Sequence, residues 1–182
     1  MDNLKGIKVA ILVANGFEQV EMEKPRQALQ EEGAEIFIIS PEKDYVQGWH
    51  HLEKGDNFSV DIPLDSAKAQ DYDALLLPGG VINPDRLRTI PKAADFVKEF
   101  KAQNKPIAAI CHGPWLLINA GVVKGHKVTS WASIKIDLIN AGAEWIDKPV
   151  VCDNQLLTSR KPDDIPQFNE AMIKLFQFYK KD

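Results

Sequence analysis

PIAAICHGPWLLINAG, Pro106 to Gly121, runs from an apolar segment into a helix start around a single thiol, Cys111. Pro106 to Ile110 reads as a buried parallel strand, and Pro114 to Asn119 as the first turns of a helix closed by Gly121. Gly113 lets the backbone turn sharply between them. A thiol on such a turn projects from the end of the sheet. The free N–H groups and positive dipole end of the following helix are expected to favour its thiolate. The other reading is a packed core cysteine, and the residues alone leave both open.

Outward from this segment, strands alternate with helices. Ile7 to Val13 is a near-continuous apolar run, as expected of a strand covered on both faces. A turn at Asn15-Gly16 leads into a polar helix from about Glu18 to Glu32, ended by Gly33, with Pro25 expected to kink it. Ile36 to Ile39 is a second strand stopped by Pro41. Glu42 to Asp65 is the least regular stretch and reads as a small hairpin or edge excursion. Ala74 to Leu77 is a third buried strand running into Pro78-Gly79-Gly80. Pro91 to Gln103 is an amphipathic helix with proline in its first turn. Ser133 to Ala141 is a further helix. Val150 to Cys152 and Gln155 to Thr158 pair as strands joined at Asp153-Asn154. Asp163 to Tyr179 is the last helix, with Phe168, Met172, Leu175 and Phe176 on one face. Alternating βα units with apolar strands predict an α/β fold, an open and mainly parallel sheet sandwiched by helices. Such sheets bind ligands at the carboxyl ends of their strands. The loops after Val13, Leu77 and Ile110 therefore open onto one crevice.

The chain has 182 residues, 45% of them hydrophobic and 26% charged. One domain over 1–182 is the favoured count, and a chain this long buries roughly 70% of its unfolded surface. The net charge is −4 and no basic stripe is present, which argues against nucleic acid as a partner. No apolar stretch approaches the ~20 residues of a membrane span, and the N-terminus reads as a first strand rather than a signal peptide. The two cysteines make no disulfide framework, which suits a reducing cytoplasm.

Each candidate residue has a structural alternative. Glu18 in ANGFEQVE either complements a helix dipole or points across the crevice at the thiol, where a carboxyl group can hold the proton a cysteine nucleophile must lose and return. Gly79 and Gly80 either end a strand or present backbone N–H groups as an oxyanion hole. Asp85 is a typical first-turn acid. His50 and His51 lack a further partner for zinc. His126 reads as a surface turn residue and Cys152 as a core one. Trp115 and Trp131 flank the thiol segment and are candidates for a pocket wall, with His50 nearby.

AICHGP, the upstream FExVE, LLLPGG, INAGAEWID and TSRKPDDIPQF together resemble the PfpI-type family of intracellular cysteine peptidases, glyoxalase III enzymes and protein deglycases, within the class I glutamine-amidotransferase-like superfamily. The resemblance runs from about Lys8 to Phe176. It implies a flavodoxin-like three-layer α/β/α sandwich with a nucleophile-elbow cysteine. It also implies Cys111 as nucleophile, His112 beside it and Glu18 as the carboxylate partner. Gly79, Gly80 and the amide of His112 then form the oxyanion hole, and Asp85 matches an acid that approaches the histidine of a neighbouring subunit. Homodimers or hexamers with the site near the subunit contact follow from the same resemblance, and no cofactor or metal is implied. Asp85 stands where such members carry glutamate, Trp115 where CHGP is usually followed by glutamine, and Gly16 where an acidic residue commonly precedes FE. The late segment LLTSRKPDDI lacks the histidine that true amidotransferases use, so glutamine hydrolysis is excluded.

The expected function is a cytoplasmic, cysteine-dependent stress-defence enzyme acting on reactive carbonyls, of glyoxalase or deglycase type. The competing expectations are an intracellular cysteine peptidase and a redox-sensing or chaperone protein with an oxidisable Cys111.

Overall fold

The computed structural model describes residues 3–180. The elements in chain order are β1 (Lys8–Leu12), β2 (Phe17–Glu18), α1 (Gln19–Glu31), β3 (Glu35–Ser40), β4 (Tyr45–His50), β5 (Glu53–Ser59) and β6 (Ile62–Pro63). Then come β7 (Ala74–Leu77), α2 (Ile82–Leu87), α3 (Pro91–Ala102), β8 (Ile107–Ile110), α4 (Pro114–Asn119) and β9 (Lys127–Val128). The chain ends with α5 (Lys135–Asn140), β10 (Glu144–Trp145), β11 (Val150–Asp153), β12 (Leu156–Ser159) and α6 (Ile165–Phe178).

The main sheet has seven strands in the order β11-β12-β8-β7-β1-β3-β6. Every pair is parallel except β11–β12, which are joined by the tight turn expected at Asp153-Asn154. β1, β7 and β8 lie side by side at the centre. Apart from the exposed Lys8 that opens β1, their residues are apolar and buried on both faces, as parallel strands under helices must be. One face carries α1 and α6, packing Met22, Leu29, Phe168 and Met172 against Val9, Ile11, Leu76 and Ile110. The other carries α3, α4 and α5, packing Phe96, Phe100, Leu117 and Leu138 against Ala10, Leu12, Leu75 and Ala109. This is the expected three-layer α/β/α sandwich.

The irregular stretch after β3 is a hairpin. β4 and β5 pair antiparallel, and β2 joins them in parallel to make a separate sheet that overhangs the carboxyl edge of the main one. Two readings of the sequence need correction. His126 is mostly buried rather than superficial: Lys101 Nζ lies 2.9 Å from its Nε2, and its Nδ1 lies 3.2 Å from Asp153 Oδ2. A neutral ring protonated at Nδ1 satisfies both neighbours and ties α3 to the β11–β12 turn. Cys152 is exposed, not packed, because alternation along β11 turns it outward while Val151 faces in. Among the described residues no helix is long and apolar enough to cross a membrane.

Candidate active site

The carboxyl ends of β1, β7 and β8 surround a cavity of about 590 Å³ with Cys111 on its floor. Cys111 has φ +63°, a conformation that costs a non-glycine residue on the order of 1–3 kcal/mol. Its surroundings enforce that geometry. The Cys111 N–H donates to Ser159 O at 3.0 Å, its carbonyl accepts from Trp131 N–H at 2.9 Å, and Gly113 N–H closes the turn on Ile110 O at 2.9 Å. The sulfur is thereby aimed away from the strand and into the cavity, although the residue as a whole is only 7% exposed.

The acid at the sulfur is Glu21. Its Oε2 accepts from Gly79 N–H at 2.8 Å, and the Cys111 thiol is a hydrogen-bonding neighbour of the same carboxyl group. Burial pushes the Glu21 pKa up to about 8, against the pull of the Gly79 N–H and the thiol, and the charge of Glu18 pushes it further up. Glu21 is therefore a protonated acid at neutral pH, able to donate to the sulfur or to an oxygen formed beside it.

Glu18, the carboxylate expected in this place, lies elsewhere on the cavity wall. It ends β2 one residue before the helix begins, so its side chain reaches toward the hairpin, where Oε2 accepts from His51 N–H at 3.1 Å. The expected thiolate-favouring environment is also different. Burial and the charge of Glu21, when ionised, push the Cys111 thiol up, while the backbone N–H groups of His112 and Gly80 draw it down. A six-residue α4 has too little macrodipole to outweigh that burial. Protonation of Glu21 removes the repulsive charge, so the pair passes one proton between them rather than ionising together.

His112 lies with Nδ1 3.2 Å from Cys111 Sγ and Nε2 3.2 Å from Ser133 Oγ. Burial lowers its pKa, leaving a neutral ring. The Trp131 ring stacks on it at 6.0 Å and the Trp115 ring meets it edge-on at 5.3 Å. Trp115 is itself fixed by its Nε1–H donating to Asp137 Oδ2 at 2.7 Å and by the Arg88 guanidinium 5.1 Å from its ring.

Gly79 and Gly80 do more than end β7. A Cβ at Gly79 would stand 2.5 Å from Glu21 Oε2 and 2.7 Å from Cys111 Cβ, so a side chain there would separate acid from thiol. Gly80, at φ +75°, passes against the Gly16 carbonyl and aims its N–H at the sulfur. Asn83 seats this loop. Its Oδ1 accepts from Ala14 N–H at 2.7 Å and its Nδ2 donates to the carbonyls of Pro78 and Gly79, each at 3.0 Å.

The DJ-1/PfpI family pattern matches residues 7–175. Deglycase PfpI of Pyrococcus furiosus is 43% identical over 171 residues, 94% of this chain and all of that protein. General stress protein 18 of Bacillus subtilis is 43% identical over 174 residues, 94% of this chain and 99% of its own length. Among solved structures, a two-domain Anabaena variabilis protein containing DJ-1/ThiJ/PfpI-like and ferritin-like domains superposes with a TM-score of 0.87 at 33% identity. That match covers 92% of this chain and 47% of the other. The chain belongs to the DJ-1/PfpI family.

The remaining residues expected from the family resemblance divide. Cys111, His112 and Gly80 share the cavity, with Trp115 and Trp131 on its wall, and Gly79 sits directly behind it. Asp85 lies exposed on α2 and does not line the cavity; within this chain His112 Nε2 meets Ser133 instead. His50 points outward from β4, and it is His51, in the hairpin turn at φ +57°, that reaches the cavity mouth. Glu21, Ser133, Asn83 and Trp49 were not expected from the sequence. Among the described residues, no group of three or more His, Cys, Asp or Glu side chains is placed to hold a metal ion.

Proposed function

We propose that this chain is a stress-defence enzyme that detoxifies reactive carbonyls, of deglycase or glyoxalase type, with Cys111 as nucleophile and Glu21 as its acid and base. The observation that carries the reading is the buried Glu21 carboxyl group, kept protonated near neutrality and hydrogen-bonded to a thiol on a cavity floor. The relatives named deglycase and general stress protein support the same reading.

In the proposed cycle the sulfur adds to the aldehyde carbon of a 2-oxoaldehyde. The Cys111–Glu21 pair enters having released one proton to solvent, with the other moved from sulfur to Glu21. An S–C bond forms, the C=O π pair moves to oxygen, and that oxygen takes the proton from Glu21, giving a hemithioacetal and a Glu21 carboxylate. The N–H groups of Gly80 and His112 face the sulfur and stabilise the charge developing beside it. The Glu21 carboxylate, with neutral His112 alongside, then removes the proton from the former aldehyde carbon and returns it to the neighbouring carbon through an enediol. The product is a thioester of a 2-hydroxy acid. Water adds to its carbonyl, the C–S bond breaks, and the thiol recovers its proton. No electron is gained or lost overall, because the aldehyde is oxidised and the ketone reduced within one molecule. With the hemiaminal of a glycated amine the sulfur displaces the amine at the same carbon: the S–C bond forms, the C–N bond breaks, and the amine leaves with the proton from Glu21, giving the same hemithioacetal.

Methylglyoxal turnover measured as lactate formation tests the reading. Cys111→Ala should abolish it while the thermal melt remains cooperative. Lactate production persisting in that variant would refute the proposal.

A further inference from the structure

The wall of the cavity is unlike its floor. Trp49, Leu52, Val81, Ile82, Trp115 and Trp131 frame the space above Cys111, and several keep apolar surface open to the mouth: Leu52 is 89% exposed, Val81 54% and Trp131 41%. Among the described residues no lysine or arginine lines the cavity, whereas Glu18 and Glu21 both do. Arg88 is spent elsewhere, lying over the Trp115 ring and donating its Nε–H to Asn119 Oδ1 at 3.1 Å. Trp115 and Trp131 do not collapse into the space, because each is tied down. Asp137 holds the Trp115 indole, and the Trp131 ring stacks on His112 at 6.0 Å.

A volume of about 590 Å³ falls in the range that holds a drug-sized ligand, far more than a three-carbon dicarbonyl fills. A methyl group leaves most of this apolar surface wet, whereas an aryl or branched alkyl group covers it and meets fixed indole faces. An anionic substituent gains no lysine or arginine here and faces the Glu18 carboxylate. We infer that the cavity selects neutral ligands bearing an aryl or branched alkyl group beside Cys111, so that among reactive carbonyls it acts on aryl-substituted 2-oxoaldehydes in preference to methylglyoxal and rejects anionic ones. This substrate class rests on the carbonyl chemistry proposed above; the selectivity of the cavity stands on the wall itself.

Two measurements, on the wild-type chain and in the first also on Trp131→Ala, separate the selectivity from the chemistry. In the first, unreactive ligands are titrated by intrinsic tryptophan fluorescence: mandelamide (neutral, aryl), lactamide (neutral, methyl) and mandelate (anionic, aryl). Mandelamide is expected to bind at least tenfold more tightly than either of the others, and Trp131→Ala to shrink its advantage over lactamide at least fivefold. A ratio below tenfold in either comparison overturns the inference. In the second, kcat/KM for phenylglyoxal is expected to exceed that for methylglyoxal at least tenfold, and that for 4-carboxyphenylglyoxal to fall at least tenfold below phenylglyoxal. Dicarbonyls consumed without these preferences would leave the chemistry standing and end the selectivity. Should the mandelamide preference hold with no dicarbonyl consumed, the selectivity stands and the carbonyl chemistry falls.

Discussion

Glu18 and Glu21 both line the cavity, and the difference between them is where the helix begins. Glu18 belongs to the short strand β2 and leans on the His51 amide; Glu21 is in the first turn of α1 and fully buried against the Gly79 amide. Glu21→Gln keeps the shape but cannot pass a proton, so kcat should fall by roughly 10²–10⁴-fold. Glu18→Gln should mainly raise KM, with kcat changed by less than about tenfold. Steady-state kinetics on a dicarbonyl distinguish these outcomes, and the reverse pattern would assign the acid to Glu18. The same burial makes stability pH-dependent. Unfolded, the Glu21 carboxyl titrates near its ordinary value of 4.5, and folded it holds its proton to about 8. Between those values the native chain binds a proton that the unfolded chain has released. Stability therefore declines as pH rises through this window, at up to ~1.4 kcal/mol per pH unit, and the decline stops above it. Glu21→Gln should remove that slope. Urea melts from pH 5 to pH 9 on both chains give the difference, and parallel profiles would mean that Glu21 is ionised throughout.

The loops that form the site are held by elements the sequence conceals to different degrees. Asn83, wholly buried in α2, bonds the loop after β1 to the loop after β7. Asn83→Ala leaves the Ala14 N–H and two carbonyls without that partner, at a cost of at least ~2 kcal/mol. It should also lower kcat/KM more than about tenfold, because Gly79 and Gly80 lose their seat. Chemical denaturation and kinetics on one preparation test both. Unchanged kcat/KM with lowered stability would make Asn83 a purely structural tie. The central strands were readable because β1, β7 and β8 are apolar on both faces, and Gly113-Pro114 marks the turn after Cys111 unmistakably. Helix α2 was not, since INPDRL is one and a half turns with a proline inside and too short to show a period. Strands β9 and β10 are two residues each, held by pairing alone. The Glu18–Glu21 choice was lost for a subtler reason: both lie in FEQVE, and spacing by itself favours neither. A usable signal was present. Glu21 shares a stripe with Met22, Pro25 and Leu29 on an otherwise polar helix, and an acid on the core-facing stripe is held there for its chemistry or its partner.

Seen whole, the molecule is built on its seven-stranded sheet, with a separate apolar layer on each face. Phe100 of α3 is buried in one layer, and Phe168 of α6 in the other. The site belongs to both: Glu21 hangs from the α1–α6 layer, while His112 and Trp115 lead into α4 in the opposite layer. The sheet must therefore couple the layers if acid and thiol are to keep their register. Phe100→Ala and Phe168→Ala should each cost ~3–5 kcal/mol through lost burial and residual cavity. The two belong to different apolar clusters on opposite faces of the sheet, so the double variant should equal the sum within ~0.5 kcal/mol. It should still unfold in a single transition, with far-UV circular dichroism and tryptophan fluorescence coincident. Fluorescence is the more telling probe, because Trp115 and Trp131 flank Cys111 at the junction of the layers. If Phe168→Ala melted α1 and α6 ahead of the rest, the two probes would separate. The site would then be lost while α3 and α4 remained folded, and the sheet would be a seam between independent halves rather than the element that holds Glu21 against Cys111.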